Sequence, residues 1–190
     1  MKTQDWLDFV KKHSDAKIFY INHLKLLTNM NEHSLKIALV RLNNKKLIKR
    51  ICRGFYANPF NTPALEEISN QICQPSYISL ESALYSWGIL SQILQVLTCI
   101  TTQLPRIFNT SFGTIEYHQL KKDYFWGFIN KQGYFIAEPE KALLDYLYLR
   151  KNKRIKLDLS ELNFDNINHK KLKSYAENLE ICSLKAFIAH

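Results

Sequence analysis

The chain has 190 residues, 46 % of them hydrophobic, and carries 26 Lys/Arg against 17 Asp/Glu for a net charge of +9. That length and apolar content suit one large domain or two small ones with a true core. No apolar stretch approaches the roughly 18–20 residues that a membrane helix needs, and "MKTQDWLDF" lacks the basic-then-apolar layout of a secretion signal, so a cytoplasmic protein is expected.

Cys52, Cys73, Cys99 and Cys182 are too widely spaced for a zinc site or a small disulfide scaffold. Reduced, mostly buried thiols are expected, with no metal and no cofactor. The charge is one-sided. Residues 1–60 hold 12 Lys/Arg and 4 Asp/Glu, while residues 61–190 hold 14 and 13, and no acid lies between Glu32 and Glu66. A basic N-terminal domain (1–60) joined to a nearly neutral one (61–190) is the layout of a protein that meets a polyanion, and nucleic acid is the first candidate.

In chain order, "TQDWLDFVKKH" predicts a helix capped by Thr3, with Asp5 in its first turn and Trp6, Leu7, Phe9 and Val10 on one side. "KIFYI" reads as a brief strand. "INHLKLLTNM" reads as a short helix with Leu24, Leu27 and Met30 inward, ended by Asn29 in a left-handed conformation. The next helix, over 31–44, opens at an Asn31 cap and buries Leu35, Ala38, Leu39 and Leu42. Its outer face shows His33, Lys36, Ile37, Val40, Arg41 and Asn44, with Ser34 near its start. Two short helices joined by a tight polar turn match the helix-turn-helix pattern.

"KKLIKRICRGFYANP" then reads as two strands, "LIKRIC" and "FYAN", turning at Arg53-Gly54, where Gly54 supplies the backbone freedom of a tight turn. Strict alternation predicts Leu47, Lys49 and Ile51 on one face and Ile48, Arg50 and Cys52 on the other. A hairpin after a recognition helix is a wing. The apolar residues pack it, and Lys45, Lys46, Lys49, Arg50 and Arg53 are free for phosphates.

Beyond the Pro/Asn-rich joint "NPFNTP", the sequence predicts helices over 63–72 and 79–88, the latter capped by Ser79, and a strand at "QVLTCITT". Hairpins follow, with strands near 106–110 and 114–118 and a second turn at 131–133. "AEPEKALLDYLYLRK" reads as a helix with Glu138 and Glu140 at its positive end, Arg150 and Lys151 at its negative end and Asp145 facing solvent. The tail over 160–190 reads as helical and polar. The fold class is α+β: a winged helix-turn-helix, then a mixed α/β domain with antiparallel strands. Glu138, Glu140, Lys141 and Asp145 loosely match a metal-dependent nuclease, but acidic residues are also what a helix N-terminus prefers.

Taken in order, "LIKRICRGFYANP", "YISLESALYSWGIL" and "FIAEPEKALLDYLYLR" resemble the AbiEi-type antitoxins of bacterial type IV toxin–antitoxin systems over residues 5–150. The resemblance implies a winged-helix repressor that binds inverted repeats in its own promoter. It also implies a C-terminal domain that acts against a nucleotidyltransferase-like toxin, and no catalytic residue. The DNA role would fall on the outer face of helix 31–44 and on Lys49, Arg50 and Arg53. A nucleic-acid enzyme using residues 138–145 is the alternative.

Overall fold

A computed structural model describes residues 2–92, 94–151 and 162–178. The described chain is α+β and divides into two compact units. One comprises residues 1–68 with the tip 108–113, and the other comprises residues 69–107 and those following 113.

In the first unit, α1 (Thr3–Lys12) leads to β1 (Ile18–Tyr20), α2 (Ile21–Thr28), α3 (Glu32–Asn44), β2 (Lys49–Cys52) and β3 (Phe55–Ala57). The three strands form an antiparallel sheet in the order β1-β3-β2. Trp6, Val10, Phe19, Leu24, Leu35, Leu39, Leu42, Ile48 and Tyr56 share one core, to which α1, β1, α2, α3 and β3 contribute, with Ile48 just ahead of β2. Two local expectations are corrected. Lys2, not Thr3, is the cap of α1, because the Asp5 carboxylate accepts the Lys2 backbone N–H at 2.7 Å. Leu27 is 56 % exposed rather than inward, because α2 is two turns long and Leu24 alone sits squarely over the core. Asn29 does take the left-handed conformation, with φ +50°.

The alternation expected along β2 fails as well. Arg50 pairs with Tyr56 and Cys52 with Phe55, so Ile51 is an extra residue in the strand. Such a bulge breaks the two-residue period. Ile48 and Ile51, three apart, are both buried, while Lys49 and Arg50 are consecutive and both exposed.

In the second unit, α4 (Leu65–Ile72), which begins in the first unit, is followed by β4 (Ser76–Ile78), α5 (Leu80–Ser86), β5 (Val96–Thr101), and β6 (Arg106–Thr110) and β7 (Gly113–Gln119), whose shared tip over 108–113 belongs to the first unit. The chain continues with β8 (Phe128–Lys131), β9 (Tyr134–Ala137), α6 (Pro139–Lys151) and α7 (His169–Asn178). The strands make a six-stranded sheet in the order β6-β7-β5-β4-β9-β8. It is not wholly antiparallel: β4 with β9 and β5 with β7 run parallel. Parallel neighbours need a crossover, and β4 reaches β9 only after the whole of β5 to β8 has intervened. Tyr77, Leu84, Ile100, Ile115, Tyr117, Ile136, Leu143 and Tyr146 are buried, and α5 packs on α6, which packs on α7. The Arg150 and Lys151 side chains, Cys182 and the tail beyond Asn178 lie outside the described residues.

Cys73 and Cys99 are buried and Cys52 is half-buried, and none of the three is in a disulfide. Among the described residues no helix is long and apolar enough to cross a membrane.

Candidate nucleic-acid interface

The Asn31 Oδ1 accepts the Ser34 backbone N–H at 2.8 Å, which fixes the start of α3 and leaves Ser34 half-buried. Leu35, Ala38, Leu39 and Leu42 point to the core, as the sequence predicts. At about 100° per residue, the stripe opposite them consists of His33, Ile37, Val40 and Asn44, all exposed, with Lys36 and Arg41 on its flanks. Two of these are apolar: Ile37 is 50 % and Val40 55 % exposed. Lys36 is not a free cation, since its Nζ lies 2.5 Å from the Glu32 carboxylate. That bond, then the charges of Lys36 and Lys25, hold the Glu32 carboxyl below its usual range.

The C-terminus of α3 sets the next group of cations. Leu47 N–H donates to Leu42 O at 3.0 Å and Lys46 N–H to Asn43 O at 2.9 Å, the paired bonds of a Schellman motif. Lys46 occupies the left-handed position of that motif at φ +58°, where glycine or asparagine is usual. Lys45, the C-cap, donates from Nζ to the Thr3 hydroxyl at 3.4 Å. Asn43, to which the sequence pattern assigns no role, accepts the Arg50 backbone N–H at 2.8 Å and ties the helix end to β2.

On the hairpin, Arg53 and Gly54 form a two-residue turn between the paired Cys52 and Phe55. Gly54 has φ +86°, and its carbonyl accepts the Ile21 N–H at 3.0 Å, so the turn is held against the start of α2. Arg53 is exposed at the turn. Arg50 lies further back, and its Nε donates to Cys52 O at 3.3 Å along its own strand. Lys49 stands over the Phe112 ring at 3.9 Å, and Ser111 N–H donates to Ile51 O at 3.1 Å, so β2 is engaged on its outer edge. Phe112 has no local signature that would announce this contact. α3 and the β2–β3 hairpin thus bring Ile37, Arg41, Asn44, Lys45, Lys46, Lys49, Arg50 and Arg53 to the surface of one unit, with His33 and Lys36.

The acidic group in the second unit is built differently. Asp145 is 1 % and Lys141 0 % exposed, which corrects the expectation that Asp145 faces solvent. The two are paired one helical turn apart. Asp145 also accepts the Tyr77 and Ser79 hydroxyls, each at 2.8 Å, and Lys141 Nζ donates to Tyr77 Oη at 3.0 Å. Burial pushes the Asp145 carboxyl up, opposed by Lys141, Ser79 and Tyr77. Ser79 therefore spends its hydroxyl on Asp145 and makes no side-chain cap for α5. Gly127 approaches so closely that a Cβ there would lie 2.9 Å from Lys141 Cγ.

Glu138 accepts from Lys171 Nζ at 2.8 Å and Tyr175 Oη at 2.5 Å, and Glu140 accepts the Asn168 N–H at 2.9 Å. The nuclease-like set is thus divided between a buried pair and two carboxylates that dock the chain around α7. No group of three or more His, Cys, Asp or Glu among the described residues is arranged to hold a metal ion. No family model matches the chain, and no curated protein matches it in sequence.

Proposed function

We propose that the chain is a duplex-DNA-binding transcriptional repressor whose first unit is a winged helix, with α3 as recognition helix and the β2–β3 hairpin as wing. The observation that carries the reading is the exposed face of α3 followed by the Arg53 turn, within a stretch that has no acid between Glu32 and Glu66. A duplex carries one negative charge per ~1.7 Å of axis, and its major groove admits an α-helix whose outward side chains meet the base edges. His33, Ile37, Val40 and Asn44 supply that outward stripe. Arg41 flanks it within reach of base edges, and Lys45, Lys46 and Arg53 supply charge for phosphates.

Following the resemblance to AbiEi-type antitoxins, the repressor would sit in the cytoplasm, bind inverted repeats in its own promoter and act as antitoxin to a nucleotidyltransferase-like toxin. No catalytic role is assigned to it. The alternative, a metal-dependent nuclease on residues 138–145, gains nothing from the geometry, because Glu138, Glu140 and Asp145 each have structural partners. The test is a titration of the full chain on duplex DNA from its own promoter and on random duplex. Arg41→Ala should cost about 1–3 kcal/mol of discrimination if the arginine reaches a guanine. No preference for the promoter would reject the repressor reading, and growth arrest by a nucleotidyltransferase-like toxin encoded beside it that co-expression of this chain does not relieve would reject the antitoxin reading.

A further inference from the structure

The centre of the outward face of α3 is apolar, which a purely electrostatic DNA contact does not need. Ile37 and Val40 are about half exposed, while Lys36 and Arg41 lie on either side of them. Single exposed aliphatic side chains are common, but two on one stripe, with the Arg41 cation at its flank, suit a partner that is itself anionic at its edges and apolar in places. In the major groove the apolar group is the C5-methyl of thymine. Side chains three apart on a helix stand about 5–6 Å apart at Cβ, a span that reaches two stacked bases ~3.4 Å apart along one strand. Ile37 and Val40 are therefore spaced for methyls on neighbouring base steps when the helix follows the groove.

We infer that Ile37 and Val40 read thymine methyl groups, so that the preferred half-site contains adjacent thymines under the centre of α3. This rests on the DNA-binding reading above and adds the base class to it. The charge around the stripe selects this occupant over an apolar protein surface. His33 and Asn44 continue the same exposed side, Arg41 flanks it, Lys45 and Lys46 follow at the helix end, and its acid, Glu32, is already paired with Lys36.

The test begins by selecting tight duplexes for the full chain from a random-sequence pool, then replacing thymines in the recovered motif by deoxyuridine, which deletes only the methyl. Each methyl read should be worth about fourfold in affinity, the ratio expected for burying one carbon of that size. Ile37→Ala and Val40→Ala should lose affinity for the thymine duplex and become insensitive to the replacement. Because both side chains are exposed, folding of the variants is checked by circular dichroism and is expected to be unchanged. Unaltered affinity on deoxyuridine duplexes, with tight binding intact, would overturn the inference and leave the repressor reading standing. Failure to bind any duplex would overturn both. Self-association abolished by Ile37→Ala, without methyl dependence, would assign the stripe to a second copy of the chain and overturn it also.

Discussion

The Lys49 ammonium lies 3.9 Å from the centre of the Phe112 ring, joining two residues far apart in the sequence within one compact unit. A cation over an aromatic face at a partly exposed site contributes about 0.5–1 kcal/mol. Phe112→Leu keeps an apolar side chain but removes the ring, and should lower the unfolding free energy by about that amount while leaving DNA affinity within twofold. Lys49→Met should lower both. Urea titrations beside anisotropy titrations separate the two effects, and equal DNA losses in both variants would show that the ring positions the lysine for phosphate.

Lys46 holds a left-handed conformation at φ +58°, which costs a residue with a Cβ about 1 kcal/mol. Lys46→Gly should relieve that strain and raise the melting temperature by about 2–4 °C. The same change deletes a cation beside α3, so affinity for promoter and random DNA should fall together. A lower melting temperature would mean that the lysine side chain stabilises the helix end by more than its backbone strain costs.

The buried Lys141–Asp145 pair should be intolerant of halving. Asp145→Ala leaves an ammonium without its carboxylate in an apolar setting and should cost about 3–5 kcal/mol. Lys141→Met combined with Asp145→Leu should recover much of this, because two apolar side chains need no counter-charge. Thermal or denaturant unfolding reads both variants. A loss in the double variant as large as in Asp145→Ala would mean that the Tyr77 and Ser79 hydroxyls, left without their acceptor, dominate the cost.

Docking of α7 should depend on pH in a defined direction. Burial acts to raise the Glu138 carboxyl, but the hydrogen bonds from Lys171 and Tyr175 outweigh it and hold the group below its ordinary value. A depressed carboxyl contributes stability above the unfolded value near pH ~4.3, lost as the pH falls through the lower folded value. The Lys171 ammonium is raised chiefly by its bond to Glu138, so its contribution is present below the ordinary lysine value and is lost only as the pH rises through the higher folded one. Hydrogen-exchange protection factors in α7, taken relative to the intrinsic rate at each pH, should therefore hold across neutral pH and fall in acid before those of α6. Glu138→Gln should remove the acid limb, and an unchanged acid limb would assign it to another group.

Local signals were readable where one residue type answers one local need. Leu35, Ala38, Leu39 and Leu42 announce the buried side of α3 by spacing, Asn31 its cap, and Gly54 the turn. The turns at 111–113 and 131–133 are equally plain, as are the strands that flank them. What escaped depends on partners far along the chain. β4 is three residues long and directly precedes Ser79, too short to show a period, and its parallel pairing with β9 has no local cause. Asp145 reads as solvent-facing, and its burial with Lys141 depends on Tyr77, Ser79 and Gly127, brought in by other segments. The Ile51 bulge and the Phe112 ring under Lys49 are likewise invisible to a two-residue period. Lys46 contradicts the usual glycine rule, and the basic composition that marks it as a phosphate contact hides its backbone role.

The salt dependence of duplex binding by the full chain tests the central claim most directly. Five to seven phosphate contacts predict a slope of log affinity against log salt of about −4 to −6, and Arg53→Ala should flatten it by about one unit without altering promoter preference. Gly54→Val should weaken binding further, because a β-branched residue is strained at φ +86° and the displaced turn carries Arg53 with it. A slope shallower than about −1, or one that neither variant changes, would contradict the assignment of DNA binding to α3 and the β2–β3 hairpin.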